Sequence, residues 1–212
     1  MRKHWVIPDI HGCAKTLRAL IEEKIKPTKH DELYFLGDYV DRGPDSKGTV
    51  DYIMNLQKEE YNLKLLIGNH EEYCMKAIEE ELKLKSFLGI RQKNRIREEW
   101  ENHGGDITLR SLNISNLKDF PANYIQWMKN LEYYFETENF IMVHAGLNFR
   151  IENPFKDKHA MLWIRDYKIK PEKINNKKLI HGHIPVSLEF IDMCVKDKNY
   201  NFIDLDNGVY MD

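Results

Sequence analysis

The 212-residue chain is long enough for one ordinary domain with a sizeable core. Its 42% hydrophobic and 31% charged residues are a globular balance, and a net charge of -2 excludes a general attraction to nucleic acid or acidic membranes. No apolar run approaches the roughly 18 residues of a membrane span, the N-terminal apolar run is too short for a signal peptide, and Cys13, Cys74 and Cys194 are too few and too scattered for a disulfide framework or zinc ribbon, so a cytoplasmic protein is expected.

In chain order, short apolar runs with strand character occur at Trp5-Val6-Ile7, Tyr34-Phe35-Leu36, Leu63 to Ile67, Phe140 to Val143 and Leu179-Ile180. They are mostly continuous, which suits strands covered on both faces. Between the first three lie helical patterns: Leu17, Leu20, Ile21 and Ile25 before Pro27, then Val50, Ile53 and Met54 after Asp45 or Ser46 as N-cap. The first seventy residues therefore read β-α-β-α-β, an α/β start. Residues 76–130 are highly charged and helix-prone and predict a helical cap insertion, ending in an amphipathic helix after Pro121. Towards the C-terminus, "SLEFIDM", "NYNFIDL" and "GVYM" are strand candidates without long helices, which predicts a mixed or antiparallel sheet beside the parallel one.

Polar residues follow each strand. After Ile7 comes "PDIHG", after Leu36 "GDYVDRG", after Ile67 "GNHE", after Val143 "HAG" and after Ile180 "HGHIP". Ligands in α/β folds gather outside the carboxyl ends of strands, and glycine permits tight turns and close approach there. One strand-end histidine is more often structural than functional; five convergent ends are not coincidence. Asp9, His11, Asp38, Asn69, His144 and His183 offer oxygen and imidazole donors and no thiolate. Such a set suits borderline divalent metals, manganese first and iron or zinc next, better than calcium. Six donors exceed what one open catalytic metal needs and suit two ions about 3.5–4 Å apart, with Asp38 as the natural bridge. Two divalent ions against two carboxylates leave the site positive, so it favours an anion such as phosphate. Arg42 adds a planar fork for phosphate oxygens, and the helix near Ala14 has its N-terminus close to the same motif.

As a set, "DIHG", "GDYVDRG", "GNHE", "HAG" and "GHIP" resemble the signature series of the phosphoprotein phosphatase family of metallophosphoesterases, in the family's order and from about residue 5 to residue 208. The look is nearest to compact bacterial and phage serine/threonine phosphatases. The resemblance implies the calcineurin-like fold, a central mixed β-sandwich flanked by helices, as one metallophosphoesterase domain over residues 1–212. It implies that Asp9 and His11 hold one metal, that Asn69, His144 and His183 hold the second, and that Asp38 bridges them. Arg42 and, through "LWIRD", Arg165 would bind phosphate. His70 would be the general acid with Asp41 as its partner, and "DNG" at 206–208 looks like the family's closing motif. The activity implied is phosphomonoester hydrolysis on a phosphoprotein or phosphopeptide by direct attack of a metal-bridging hydroxide, with no nucleic-acid or membrane partner. The family's first motif usually begins with glycine where this chain has Pro8, which predicts an altered turn without loss of a ligand. The Gly-His-x-Pro frame selects His183 and leaves His181 structural. His4, His30, His103 and His159 read as surface or packing residues, and Cys13 as a small packing residue.

Two other functions compete. Dinucleoside polyphosphate hydrolases, such as those of diadenosine tetraphosphate, look similar through the first and third motifs but typically carry alanine for Asp41 and aspartate for Glu71. A non-catalytic binding module is disfavoured by the complete ligand set.

Overall fold

The computed structural model of the chain describes residues 2–84, 86–87 and 90–211. Residues 1, 85, 88, 89 and 212, which the expected 1–212 domain and its 76–130 insertion include, lie outside them.

The first half is the expected β-α-β-α-β unit. β1 (His4–Ile7), β2 (Glu32–Phe35) and β3 (Asn62–Leu65) form a parallel sheet in the order β1-β2-β3. α1 (Ala14–Ala19), which continues as a π-helical turn through Ile25, connects the first pair, and α2 (Ser46–Lys58) the second. Asp45 caps α2, its side chain accepting the Gly48 N–H at 2.7 Å. Then come α3 (Asn69–Lys83), the short antiparallel pair β4 (Ser86–Phe87) and β5 (Ile90–Arg91), α4 (Arg95–Trp100), α5 (Asp106–Ser111) and α6 (Ala122–Lys129).

A second sheet has the order β6-β7-β8-β9, made by β6 (Tyr134–Glu136), β7 (Phe140–Val143), β8 (Lys178–His181) and β9 (Phe202–Asp204). It is mixed, as expected: β6 runs antiparallel to β7, and β7, β8 and β9 run parallel. Between β7 and β8 lies α7 (Lys158–Trp163). The two sheets stack because the period of two along each strand supplies two apolar faces. Tyr34 and Leu36 of the first sheet's side meet Met142 and Ile180 of the second, with Val6, Phe135, Phe140 and Ile203 around them. The alternate residues turn outward: Leu33 and Phe35 pack under the helices, and Ile141, Val143 and Leu179 under Leu147, Phe149 and Met161. Full burial of a leucine such as Leu36 or Leu66 contributes about 1.5–3 kcal/mol. The two stacked sheets with helices on their outer faces are the sandwich that the sequence led one to expect.

Two expected strands are corrected. "SLEFIDM" lies instead in α8 (Leu188–Lys196). Ser187 caps it by accepting the Phe190 N–H at 3.2 Å, Glu189 and Lys196 complement its dipole, and Phe190 and Cys194 share one face at helical spacing. "GVYM" is a turn, closed by Met211 N–H donating to Gly208 O at 2.8 Å, with Gly208 at φ +68.

Candidate metal centre

The strand ends converge as the sequence pattern predicts, and the loops after them are held in uncommon conformations. Ten non-glycine residues among those described have positive φ, and five of these are His11, Asp38, Asp41, Arg42 and His183. Backbone in this region costs energy and persists only where surrounding contacts dictate it. At Asp38 that contact is Glu71. One of its carboxylate oxygens accepts the N–H groups of Tyr39 and Val40, the other those of Asp38 and Gly68, at 2.8 to 3.2 Å. Burial and the nearby Asp38 raise its pKa, and these donors pull it back down. At Gly68 a Cβ would sit 2.1 Å from Asp38 Oδ1, so glycine there permits the approach of the two loops.

Asn69, His70 and Glu71 form the first turn of α3. The free N–H of His70 donates to Asp38 Oδ1 at 3.1 Å, placing that carboxylate at the positive end of a 15-residue helix. Asp38 is the centre of the cluster. Its oxygens lie 3.4 Å from His11 Nε2, 3.6 Å from His144 Nε2 and 4.0 Å from His70 Nε2. Burial opposes its charge, but the imidazoles of His144, His70 and His11 outweigh that and hold its pKa below the usual carboxylate range.

The imidazoles are oriented from behind. His11 Nδ1–H donates to Val40 O at 3.0 Å, and His144 Nδ1–H to Leu36 O at 2.9 Å. Both then present an Nε2 lone pair to the centre. Asn69 Oδ1 lies 2.8 Å from His144 Nε2 and 2.9 Å from His183 Nδ1. His183 Nε2 is buried with no hydrogen-bond partner. Lone pairs thus face lone pairs, an arrangement that a cation relieves. Burial lowers the pKa of His11 and of His183 to about 3, so both rings are neutral and able to act as ligands. Asp9 enters from the other side, accepting the His183 N–H at 3.1 and 3.3 Å. Burial and the neighbouring carboxylates Asp38 and Asp206 raise its pKa, a repulsion that bound positive charge would cancel. Donor atoms fall into two groups within 4.8 Å: His11, Asp38 and His70, and Asp38, His144 and His183. Asp38 is common to both. The residues therefore fit a divalent-metal centre. The first group contains His70 in the place where Asp9 was expected. Pro8 displaces none of these side chains: Asp9 remains buried and facing His183.

His70 has only one nitrogen turned to the centre, because its Nδ1 lies 2.8 Å from Asp41 Oδ2. Burial pulls its pKa down, but the carboxylates of Asp38 and Asp41 outweigh this and raise it above the ordinary imidazole value. Asp41 is itself enclosed: Trp100 Nε1–H donates to Oδ2 at 2.8 Å and Thr108 Oγ1–H to Oδ1 at 2.6 Å, while Ser46 and Thr108 hydroxyls accept its backbone N–H. Arg42 donates from Nη1 to His11 Nε2 at 3.0 Å and to the Tyr210 hydroxyl at 2.7 Å, with its guanidinium 4.6 Å from the Tyr210 ring. Arg165 is exposed, and its charge helps to lower the pKa of His183. His181 points to the opposite side of β8, 3.9 Å from Asp204. The sequence reading used Glu71 only to compare families, gave it no structural role, and missed Trp100, Thr108 and Tyr210. Only Glu71 carried a signal, being the third helical residue after Gly68 and so half of a capping box.

Residues 3–208 match the model of the calcineurin-like phosphoesterase family. Among curated proteins the chain is similar to the symmetrical bis(5'-nucleosyl)-tetraphosphatase of Buchnera aphidicola subsp. Schizaphis graminum, with 39% identity over 159 residues, 74% of this chain and 49% of that protein. The Cellvibrio japonicus protein of the same name is 27% identical over 145 residues, 68% of this chain and 44% of the relative. The chain thus spans about half the length of these relatives. Of solved structures, a candidate diadenosine tetraphosphatase matches at TM-score 0.55 and 18% identity, covering 98% of this chain and 84% of its own. A protein serine/threonine phosphatase from Saccharomyces cerevisiae matches at TM-score 0.52 and 16% identity, covering 87% and 64%. At these identities both express a shared fold.

Proposed function

The chain belongs to the calcineurin-like phosphoesterase family, and from that premise we propose that it hydrolyses dinucleoside tetraphosphates, adding water across a phosphoanhydride bond to release nucleoside diphosphates. The observation that carries this choice of substrate is the 39% identity to a symmetrical bis(5'-nucleosyl)-tetraphosphatase over 74% of the chain. It displaces phosphoprotein as the leading substrate. The chemistry of the centre agrees, since neutral histidine and asparagine donors outnumber carboxylates and leave bound cations free to attract a polyanion.

In this reading Asp9 and His11 would hold one divalent ion, Asn69, His144 and His183 would hold a second, and Asp38 would serve both; manganese suits the mixed oxygen and imidazole set. Ions bound there would supply Lewis-acid polarisation of a phosphoryl group and a more acidic water. The chain's own groups do the rest. Arg42, held planar between His11 and Tyr210, and Arg165 at the rim grip phosphate oxygens as charge shifts in the transition state. His70 donates a proton from Nε2 to the leaving oxygen, and Asp41 keeps that imidazole oriented and its protonated form favoured. Glu71 keeps the loop of residues 38–40 in place while this happens. Residues 76–130 act as a cap bordering the substrate groove, with Trp100 and Thr108 reaching in to Asp41.

A second reading, a serine/threonine phosphatase, draws on one observation: the buried Asp41–His70 pair. A serine alkoxide leaves badly without a proton, whereas a nucleoside diphosphate leaves far more easily. The test is metal-depleted protein reloaded with Mn²⁺ and assayed side by side on diadenosine tetraphosphate, a phosphoserine peptide and p-nitrophenyl phosphate. The highest kcat/KM is expected on the tetraphosphate, with ADP as product. A higher value on the peptide would replace this reading with the second.

A further inference from the structure

Beside the metal centre, between the end of β8, α8 and the loop entering β9, lies a cleft of about 560 Å³ whose lining, apart from Arg165, the phosphate chemistry does not use. Small-molecule sites run from ~300 to 1,000 Å³. Its wall is aromatic, formed by Tyr167, His181, Phe190, Tyr200 and Phe202. The rings make one connected surface. The Phe202 centroid lies 5.7 Å from His181, 6.3 Å from Phe190 and 5.6 Å from Tyr200, and Tyr167 lies 6.1 Å from His181. Tyr167, Phe190, Tyr200 and Phe202 are each only half-buried, so part of each ring still meets solvent. A contiguous aromatic surface left open to solvent is a mark of ligand-binding grooves.

The cleft is connected to the centre. Arg165 lines it, and the same guanidinium acts electrostatically on His183. His181, on its wall, is separated from His183 by one glycine. Even the "HAG" motif contributes. The Tyr167 ring lies 2.3 Å from where a Cβ on Gly146 would stand, and its hydroxyl donates to Ala145 O at 3.3 Å. Gly146 therefore makes room for the wall of this cleft, while His144 two residues earlier faces the metal centre. The buried carboxyl of Asp204 also lines the cleft and offers an acceptor beside the aromatic rings.

We propose that this cleft is a nucleobase subsite. A base stacks on Phe190, Tyr200 and Phe202, Asp204 accepts from an exocyclic amino group such as that of adenine, and Arg165 carries the phosphate chain from the ribose toward the centre. Bases stack on aromatic side chains because every base has a π-face, and a phosphopeptide has no comparable group to fill such a wall. The inference rests on the reading of the chain as a dinucleoside polyphosphate hydrolase, because it is the nucleoside that the cleft would recognise.

Two probes that resist hydrolysis separate the subsite from the phosphate site: adenosine 5'-(α,β-methylene)diphosphate and methylenediphosphonate, which share the diphosphonate and differ by the nucleoside. Calorimetric titration of the Mn²⁺-loaded protein should show the nucleoside-bearing probe binding about tenfold tighter or better, the scale of one stacked base. Tyr200→Ala and Phe190→Ala should each shrink that advantage and leave methylenediphosphonate affinity unchanged, which also verifies that each variant is folded. Equal affinities in the unaltered protein would overturn the subsite, as would an advantage that survives both substitutions. Turnover of diadenosine tetraphosphate is measured separately. Turnover with equal probe affinities removes the subsite and keeps the proposed function; a nucleoside advantage without turnover removes that function and keeps the subsite.

Discussion

His70 Nδ1 lies 2.8 Å from Asp41 Oδ2, and both side chains are buried. The contact leaves one imidazole nitrogen to face the centre, and the carboxylate favours the protonated ring. A histidine so held is suited to give up a proton from a fixed direction.

His70→Asn should therefore slow turnover by about 10²–10⁴-fold, the usual contribution of general acid catalysis, while both metals are retained. The loss should follow the leaving group, being larger on a phosphoserine peptide than on p-nitrophenyl phosphate or diadenosine tetraphosphate. Rates on the three substrates together with metal content per chain check this. A variant that loses metal, with equal losses on every substrate, would mean that His70 is a ligand or a packing residue.

Asp38 lies in both donor groups. Asp38→Asn should weaken the two ions together, whereas His183→Ala should weaken one. Metal analysis after dialysis distinguishes the cases. An unaltered protein that never holds more than one equivalent would defeat the two-ion assignment.

Glu71 accepts four backbone N–H groups and is fully buried. Glu71→Gln turns one acceptor oxygen into a donor facing two of these N–H groups. Each buried donor left unpaired costs about 1–3 kcal/mol, so a loss on the order of 2–4 kcal/mol is expected in urea unfolding. A variant as stable as the parent would show that the loop of residues 38–40 does not depend on this carboxyl.

Asp204 has its pKa raised to about 7, by burial first and by Asp206 next. The folded chain then holds a proton that the unfolded chain releases near 4, so this group makes stability fall as pH rises from about 4 to 7. Asp204→Asn removes the penalty. Its unfolding free energy in urea should exceed that of the parent at pH 8 by on the order of 2 kcal/mol, and the two should converge near pH 4. A gap that does not change with pH would assign the effect to packing instead.

The sequence by itself determined the β-α-β-α-β start and which side-chain types stand at the strand ends. Those features are local: apolar runs set the strands, glycines beside Asp, Asn and His set the turns, and the side-chain types set which metals and anions fit. Only the tertiary structure decided which atoms face one another. Asp41 meets Trp100 and Thr108 from 59 and 67 residues away, and Asp9 meets the His183 N–H across 174. "SLEFIDM" was ambiguous because a short apolar run fits both periods; the Ser187 cap and the buried Cys194 made it a helix. The aromatic cleft was invisible for the same reason. Its rings come from the segment after α7, from α8 and from β9, and they become one wall only when β9 pairs with β8 and brings Phe202 beside His181.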